Sequence, residues 1–300
     1  MPGAEVAGAG ALESAAERHV PGMGKIDLHR LRQGLVNETY RVLRDGNAYA
    51  LRAAAATPYD LGLDRHWEAR VLEGAVAAEL APPVVYCDPE RGILISRWVE
   101  GTSWSPEDTL RPANLSRMAE LLRRIHGLVL PVPTRVMTPG QWVDYYSAAA
   151  PTARAAAFRS TAAQRLSALA ALPSVPAVVC HSDLHSLNLI DRSGSLILLD
   201  WEYAHAADPF WDLAGWSANN DFGDEQALAL LKNYVGRTPT PQECLRLRQL
   251  LWLYDYVCLL WSELYLSLHR GRPGGMGGDS ARDGVSARAQ LLASRLRSTK

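Results

Sequence analysis

The 300 residues read as an α+β chain: a small β-rich front lobe followed by a larger, mainly helical back lobe. Apolar and polar residues alternate on both sides of Asp45-Gly46-Asn47, and after Gly101 the pattern switches to helical periodicity. Two short apolar runs, 177–180 and 196–199, then bracket a polar loop. Hydrophobic residues at 48% supply a sizeable core, and charged residues at 21% exclude wholesale disorder. Thirty-one basic against 32 acidic side chains leave a formal charge of -1, which removes the electrostatic case for a nucleic acid partner.

Residues 1–20 are small and partly acidic, lack the pattern of a secretion signal, and are expected to form a flexible leader. The front lobe spans 21–100. Within it, LVNETYRVLRDGNAYALRAA is the pattern of a β-hairpin. Trp67, Val71, Leu72, Val76 and Leu80 then recur at helical spacing and stop before Pro82-Pro83. Strands are expected around Val84–Tyr86 and Gly92–Val99, and the lobes join near Trp98–Thr102.

The back lobe covers 101–270. An amphipathic helix from Ala113 to Val129 opens it, and residues 225–269 close it as helix. A Gly-rich linker and tail take up 271–300. Its GRPGGMGG has the glycines of a phosphate loop but neither the preceding strand nor the GK[ST] ending. The most apolar window, Leu250–Trp261, is too short to span a bilayer and carries Asp255, so no membrane insertion is expected. Four cysteines without a CxxC pair suit a reducing compartment, and the chain is expected to be cytoplasmic.

Chemistry concentrates in His181-Ser182-Asp183-Leu184-His185-Ser186-Leu187-Asn188, followed by Leu198-Leu199-Asp200-Trp201-Glu202. Kinase catalytic loops read H-R-D-L-x-x-x-N with a metal-binding Asp further on; the spacing here is the same, with Ser182 in place of the Arg. An Asp at position 183 can orient an attacking hydroxyl and accept its proton. Asn188 can offer a carbonyl oxygen to Mg²⁺, and Asp200, at the end of the next apolar run, is a hard anionic ligand. A lone HxD is a common turn feature; its placement between two apolar runs, the second ending in Asp200, lifts it above that.

On these residues the chain resembles the aminoglycoside phosphotransferase and choline/ethanolamine/thiamine kinase superfamily, most strongly at HSDLHSLNLI, LLDWEYA and DPFWDLA. The resemblance runs from about Leu31 to Leu266 and implies a protein-kinase-like two-lobed fold. It also implies ATP and Mg²⁺ as cofactors and a small-molecule alcohol as acceptor. By position, Asp183 resembles the catalytic base, His181 the brace of the catalytic loop, Asn188 and Asp200 the magnesium ligands, and Asp212 an acid that fixes the loop backbone. Asn37 sits in the segment that resembles the phosphate-covering loop. Arg52 stands where these kinases place their phosphate-gripping cation, and Glu68 resembles the acid that pairs with it. ILISRWVEG resembles the adenine-binding hinge, which points to Trp98 and Val99.

The acceptor is less legible. Aromatic faces attract a quaternary ammonium group, and the back lobe offers Trp252, Tyr256 and Trp261 with Glu263, while Glu202 either faces the substrate cation or braces the metal loop. Trp252, Tyr256 and Glu263 share one helix face; Tyr254, Trp261 and Tyr265 lie nearly opposite. The expected function is a choline/ethanolamine-kinase-like phosphotransferase. The alternatives are a thiamine kinase, an aminoglycoside phosphotransferase, or a catalytically inactive nucleotide-binding relative. Retention of Asp183, Asn188 and Asp200 together speaks against the last. A protein kinase is disfavoured by the missing DFG and APE-like segments.

Overall fold

The computed structural model describes residues 9–54, 61–269 and 278–298. The front lobe runs α1 (Ala9–His19), β1 (Asp27–Gln33), β2 (Asn37–Arg44), β3 (Asn47–Ala54), α2 (Arg65–Ala77), β4 (Val84–Asp88) and β5 (Ile93–Arg97). Its strands form one antiparallel sheet in the order β1-β2-β3-β5-β4. The expected hairpin is β2–β3, with Arg44 opposite Asn47. Asp45 and Gly46 turn it with positive φ (49° and 75°), the two-residue geometry whose twist matches that of the strands.

Along β3, Tyr49, Leu51 and Ala53 point into a small core with Val42, Ile93 and Ile95. Alternation therefore turns Arg52 to the opposite face of the sheet. The same small core contains Leu12, Ala16 and Val20. That corrects the expected leader: from Ala9 onward it is a helix, because apolar residues four apart cover this face of the sheet. Residues 1–8 lie outside the described residues.

The back lobe begins with α3 (Pro106–Leu110), α4 (Pro112–His126), α5 (Pro139–Ala149), α6 (Ala153–Ala156) and α7 (Arg159–Ala170). Four short strands follow: β6 (Val178–Cys180), β7 (Leu189–Asp191), β8 (Leu196–Leu198) and β9 (His205–Ala207). Strand β6 pairs with β9, and β7 with β8, so two small ribbons carry the motif loop and Asp200. The lobe ends with α8 (Phe210–Asn219), α9 (Asp224–Val235), α10 (Pro241–Leu268) and α11 (Gly278–Ser298).

Helix α10, closed at its start by a Thr240–Glu243 capping box, is the axis on which α5, α7, α8 and α11 pack. The expected linker and tail is thus, over 278–298, a packed helix with Val285, Ala289, Leu292 and Leu296 buried. The Gly-rich stretch 271–277 lies outside the described residues. Trp67, Val71, Leu72 and Ala75 of α2 belong to the large core with Met118, Leu122 and Ile125 of α4. Helix α2 thereby links the front sheet to the back lobe.

Past β5 the chain crosses between lobes at Gly101, where a Cβ would come within 2.5 Å of the Asp191 carbonyl oxygen. Thr102 and Asp191 exchange backbone hydrogen bonds of 3.1 and 2.8 Å. The Asp191 carboxylate accepts two bonds from Arg117 (2.6 and 2.7 Å) and one from Trp104 Nε1 (2.8 Å). Arg117 is the main reason this carboxyl is held down at about 2. Among the described residues no helix is long and apolar enough to cross a membrane, and the four cysteines are free thiols.

Candidate active site

The loop after β6 is shaped by a buried acid. Asp212, in the first turn of α8, accepts hydrogen bonds from the backbone N–H groups of His181 (2.9 Å) and Ser182 (2.8 Å), with His126 Nε2 at 3.3 Å. Burial pushes its carboxyl up, but these donors outweigh burial and the net direction is down. Ser182 takes a left-handed φ of 69°, which turns the chain toward Asp183. His181 Nε2 donates to the Leu199 carbonyl (2.9 Å), while its Nδ1 accepts from the Asp183 N–H (3.3 Å). That pattern assigns a neutral ring, in keeping with a pKa that burial lowers. Through these two bonds His181 ties the Asp183 backbone to Leu199, the residue before Asp200.

Asp183 points into a cavity of about 390 Å³. Asn188, held in a one-turn 3₁₀ segment (Ser186–Asn188), donates Nδ2 to the Asp183 carbonyl (3.0 Å) and to its Oδ2 (3.3 Å). The Asn188 Oδ1 takes no hydrogen bond from the described residues. Burial works against ionised Asp183, but the effects led by His185, with Nε2 at 3.7 Å, more than compensate, so its pKa lies below the ordinary value.

Asp200, which also lines the cavity, sits in a left-handed conformation (φ 61°) just past β8. Arg52 divides its fork: Nη1 donates to Asp200 Oδ1 and Nη2 to Glu68 Oε1, both at 2.6 Å. A second fork lies beside it. Arg65 Nη1 reaches Glu68 Oε2 (3.0 Å) and Glu202 Oε2 (2.7 Å), and Arg65 Nη2 reaches Asn37 Oδ1 (2.8 Å). Asn37 Nδ2 closes the ring onto Glu202 Oε2 at 2.5 Å. Glu202 is only 3% exposed, with Oε2 held by Arg65 and Asn37, and it also lines the cavity.

Burial and the neighbouring Glu202 carboxylate raise the Asp200 pKa to about 7 despite Arg52. A divalent cation bound beside Asp200 would offset both effects. The Asp200 carboxylate and the Asn188 amide oxygen are hard donors that fit Mg²⁺. Behind the loop, His126, Cys180 and Asp212 place ligand atoms within 4.8 Å of one another. Asp212 is already engaged by the loop backbone, and His126 Nδ1 lies 2.8 Å from the Tyr234 hydroxyl.

The aromatic wall differs from expectation. Trp252 Nε1 donates to the Leu296 carbonyl (3.3 Å) and the Tyr256 hydroxyl to the Ala155 carbonyl (2.9 Å), so both point away from the cavity toward α11 and α6. Glu263 pairs with Arg154 at 3.1 Å, also outside it. The opposite α10 face, with Tyr254 and Trp261, lines the cavity together with Trp142, Tyr146, Tyr203 and Trp211. Trp261 Nε1 donates to the Tyr203 hydroxyl (2.8 Å), and Trp142 and Tyr146, one turn apart on α5, stack at 5.3 Å.

Trp98 and Val99 lie on the segment leaving β5, outside this cavity. The Trp98 N–H is taken by the Ala48 carbonyl (3.1 Å), so it is not free for a base edge. Arg65, Trp142, Tyr146 and Tyr203 are cavity and network residues that the sequence reading passes over. Arg65 has a visible signal, standing three residues before Glu68 on one helix face.

With this geometry in place, the model of the phosphotransferase enzyme family matches residues 27–245, well over half of the chain. The chain belongs to the phosphotransferase enzyme family. Protein LicA of Haemophilus influenzae is 24% identical over 214 residues, which is 68% of this chain and 62% of that protein. A choline/ethanolamine kinase family protein from Mesorhizobium loti is 28% identical, with a TM-score of 0.70 over 89% of this chain and 87% of that one. Choline kinase LicA from Streptococcus pneumoniae, at 22% identity, shares the fold with a TM-score of 0.75 over 95% of this chain and 97% of its own. The fold of this phosphotransferase family member is thus the kinase-like one, with an antiparallel sheet in the small lobe and helices in the large.

Proposed function

We propose that this protein transfers the γ-phosphoryl group of Mg²⁺-ATP to the hydroxyl of a small alcohol of the choline/ethanolamine type, in a reducing, cytoplasmic setting. The observation that carries this reading is that Asp183 and Asp200 line one aromatic cavity, with Asn188 bonded to Asp183 and Arg52 joining Asp200 to Glu68. An ionised Asp183 orients the acceptor hydroxyl and takes its proton as the oxygen attacks the γ-phosphorus. The bond to the β-phosphate oxygen breaks and ADP departs. Asn188 and Asp200 would hold Mg²⁺, which neutralises phosphate charge when bound. Arg52 then serves as a fixed cation beside the phosphates, held in place by Glu68.

Six aromatic side chains around about 390 Å³ suit a compact acceptor whose ammonium group rests on ring faces. The relatives named for choline and ethanolamine kinases support this acceptor class over a large polycation. ADP release from Mg²⁺-ATP with choline, ethanolamine, thiamine, an aminoglycoside and simple sugars tests it. Acceptor-dependent release abolished by Asp183→Ala is the expected result. Release that survives Asp183→Ala refutes the assigned base, and nucleotide binding without turnover on any alcohol refutes the activity.

A further inference from the structure

Helix α11 does more than cap the back lobe: Val285 and Arg288 form part of the cavity wall. The Arg288 Nη2 donates to the Asn219 amide oxygen (2.7 Å), and no carboxylate among the described residues pairs with it. Its neighbour Arg295 is occupied, with Asp221 and Asp255 each at 3.1 Å. Asn219 in turn donates to the Leu184 carbonyl (2.9 Å) and lies 3.0 Å from the Tyr254 hydroxyl, which reaches the Ser182 carbonyl (3.3 Å). Arg288 is therefore tied to both residues flanking Asp183, and its charge favours the ionised form of Asp183.

Apart from Arg288, the charged side chains lining the cavity are carboxylates: Asp183, Asp200 and Glu202. Asp200 and Glu202 are held by Arg52 and Arg65, whereas no carboxylate among the described residues lies within ion-pair distance of Arg288. A guanidinium in the wall repels a simple ammonium alcohol, whereas it offers a fork to two oxygens of an anion. We propose that Arg288 is the anion-recognition subsite of this cavity, so that the alcohol phosphorylated carries a carboxylate or phosphate in addition to its hydroxyl. The proposal rests on the kinase reading and narrows its acceptor. A hydroxylated zwitterion satisfies every part of the wall at once: hydroxyl at Asp183, ammonium on the aromatic faces, anionic group on Arg288.

Matched probes that differ only by the anionic group test this: ethanolamine against serine, choline against carnitine, glycerol against glycerol 3-phosphate. Binding is measured by calorimetry to the full chain with Mg²⁺-ADP present, in wild type, Arg288→Gln and Arg288→Lys. The anionic member of at least one pair should bind wild type about 10- to 100-fold more tightly, the range of a charge-assisted contact. Arg288→Gln should level that pair, and Arg288→Lys should keep part of the preference. The responding pair tells carboxylate from phosphate. No anionic preference in any pair, or one that Arg288→Gln leaves intact, overturns the subsite. ADP release on the same probes separates the two readings: turnover without anionic preference sinks the subsite alone, whereas silence on every acceptor sinks both. Helix α11 is anchored by Arg295 and five buried apolar residues, so Arg288→Gln is expected to fold, as circular dichroism would verify.

Discussion

Replacing Asp212 by Asn isolates what one buried carboxylate contributes to the shape of the catalytic loop. Asp212 is fully buried and accepts from two consecutive backbone amides, at 2.9 and 2.8 Å. An Asn side chain can accept from one of them, but its Nδ2 then faces the other as donor against donor. A charge-assisted bond contributes roughly 1.5–3 kcal/mol, and a buried amide left without a partner costs about 1–3 kcal/mol. The expected destabilisation is therefore about 3–5 kcal/mol. At roughly 2–4 °C per kcal/mol for a domain of this size, Tm should fall by about 6–20 °C.

The same substitution carries a pH signature. The Asp212 pKa is depressed in the native state, so its stabilisation is present above the unfolded carboxylate value of about 3.9 and is lost as pH falls through the native value. The gap between wild type and Asp212→Asn should narrow on acidification. Because Asp212 touches the loop and not the nucleotide cluster, kcat should drop further than nucleotide affinity. Urea unfolding at several pH values, paired with ADP-release kinetics, measures all three. A loss under about 1 kcal/mol with kcat unchanged would refute the idea that this acid sets the loop.

Asp183→Asn should lower kcat by about 10²- to 10⁴-fold with nucleotide Kd within about twofold, checked by ADP release and nucleotide titration; a smaller loss of kcat removes Asp183 as the base. Asp191→Asn should cost about 1–2 kcal/mol at neutral pH, after screening of the partly exposed Arg117, and almost nothing near pH 2, where the native carboxyl itself protonates. Equal urea midpoints at pH 7 would contradict that. Trp261→Ala should raise the acceptor KM by about 5- to 30-fold with little change in stability. Trp252→Ala should instead cost about 3–5 kcal/mol and leave KM nearly alone. The reverse outcome would return the substrate to the other face of α10.

What is legible in the sequence follows how local each feature is. His181, Asp183, Asn188 and Asp200 lie within 20 residues, between apolar runs that can only be short strands, so their meeting is readable. Pairing of Arg52 with Glu68 is implied only through the family resemblance, and the bond from Arg52 to Asp200 depends on how the lobes close. The acceptor wall is harder. Periodicity divides the α10 aromatics into two faces but does not choose between them, because neighbouring helices make the choice. Helix α11 supplies the Leu296 carbonyl to Trp252, and α6 supplies the Ala155 carbonyl to Tyr256, so the opposite face is left to the cavity.

The choice of Arg at position 52 has a geometric consequence that sets it apart from a Lys. Its two Nη atoms hold acids from different lobes, each at 2.6 Å, with the side chain only 11% exposed. A planar fork can satisfy two acceptors in fixed directions, whereas an ammonium is a compact point charge on a flexible stem. Arg52→Lys preserves charge, and Glu68 remains anchored by Arg65 at 3.0 Å, so the fold should survive with a small shift in Tm. What is lost is the fixed relation between Asp200 and α2. The KM for Mg²⁺-ATP should therefore rise by about 5- to 30-fold, roughly the worth of one charge-assisted bond, with kcat falling as well. Glu68→Gln, which removes the charge shared by both forks, should add little to Arg52→Lys in the double variant, because the two changes break one coupled network. Fully additive effects, or a wild-type KM in Arg52→Lys, would show that the fork between Asp200 and Glu68 does not hold the phosphate end of the site.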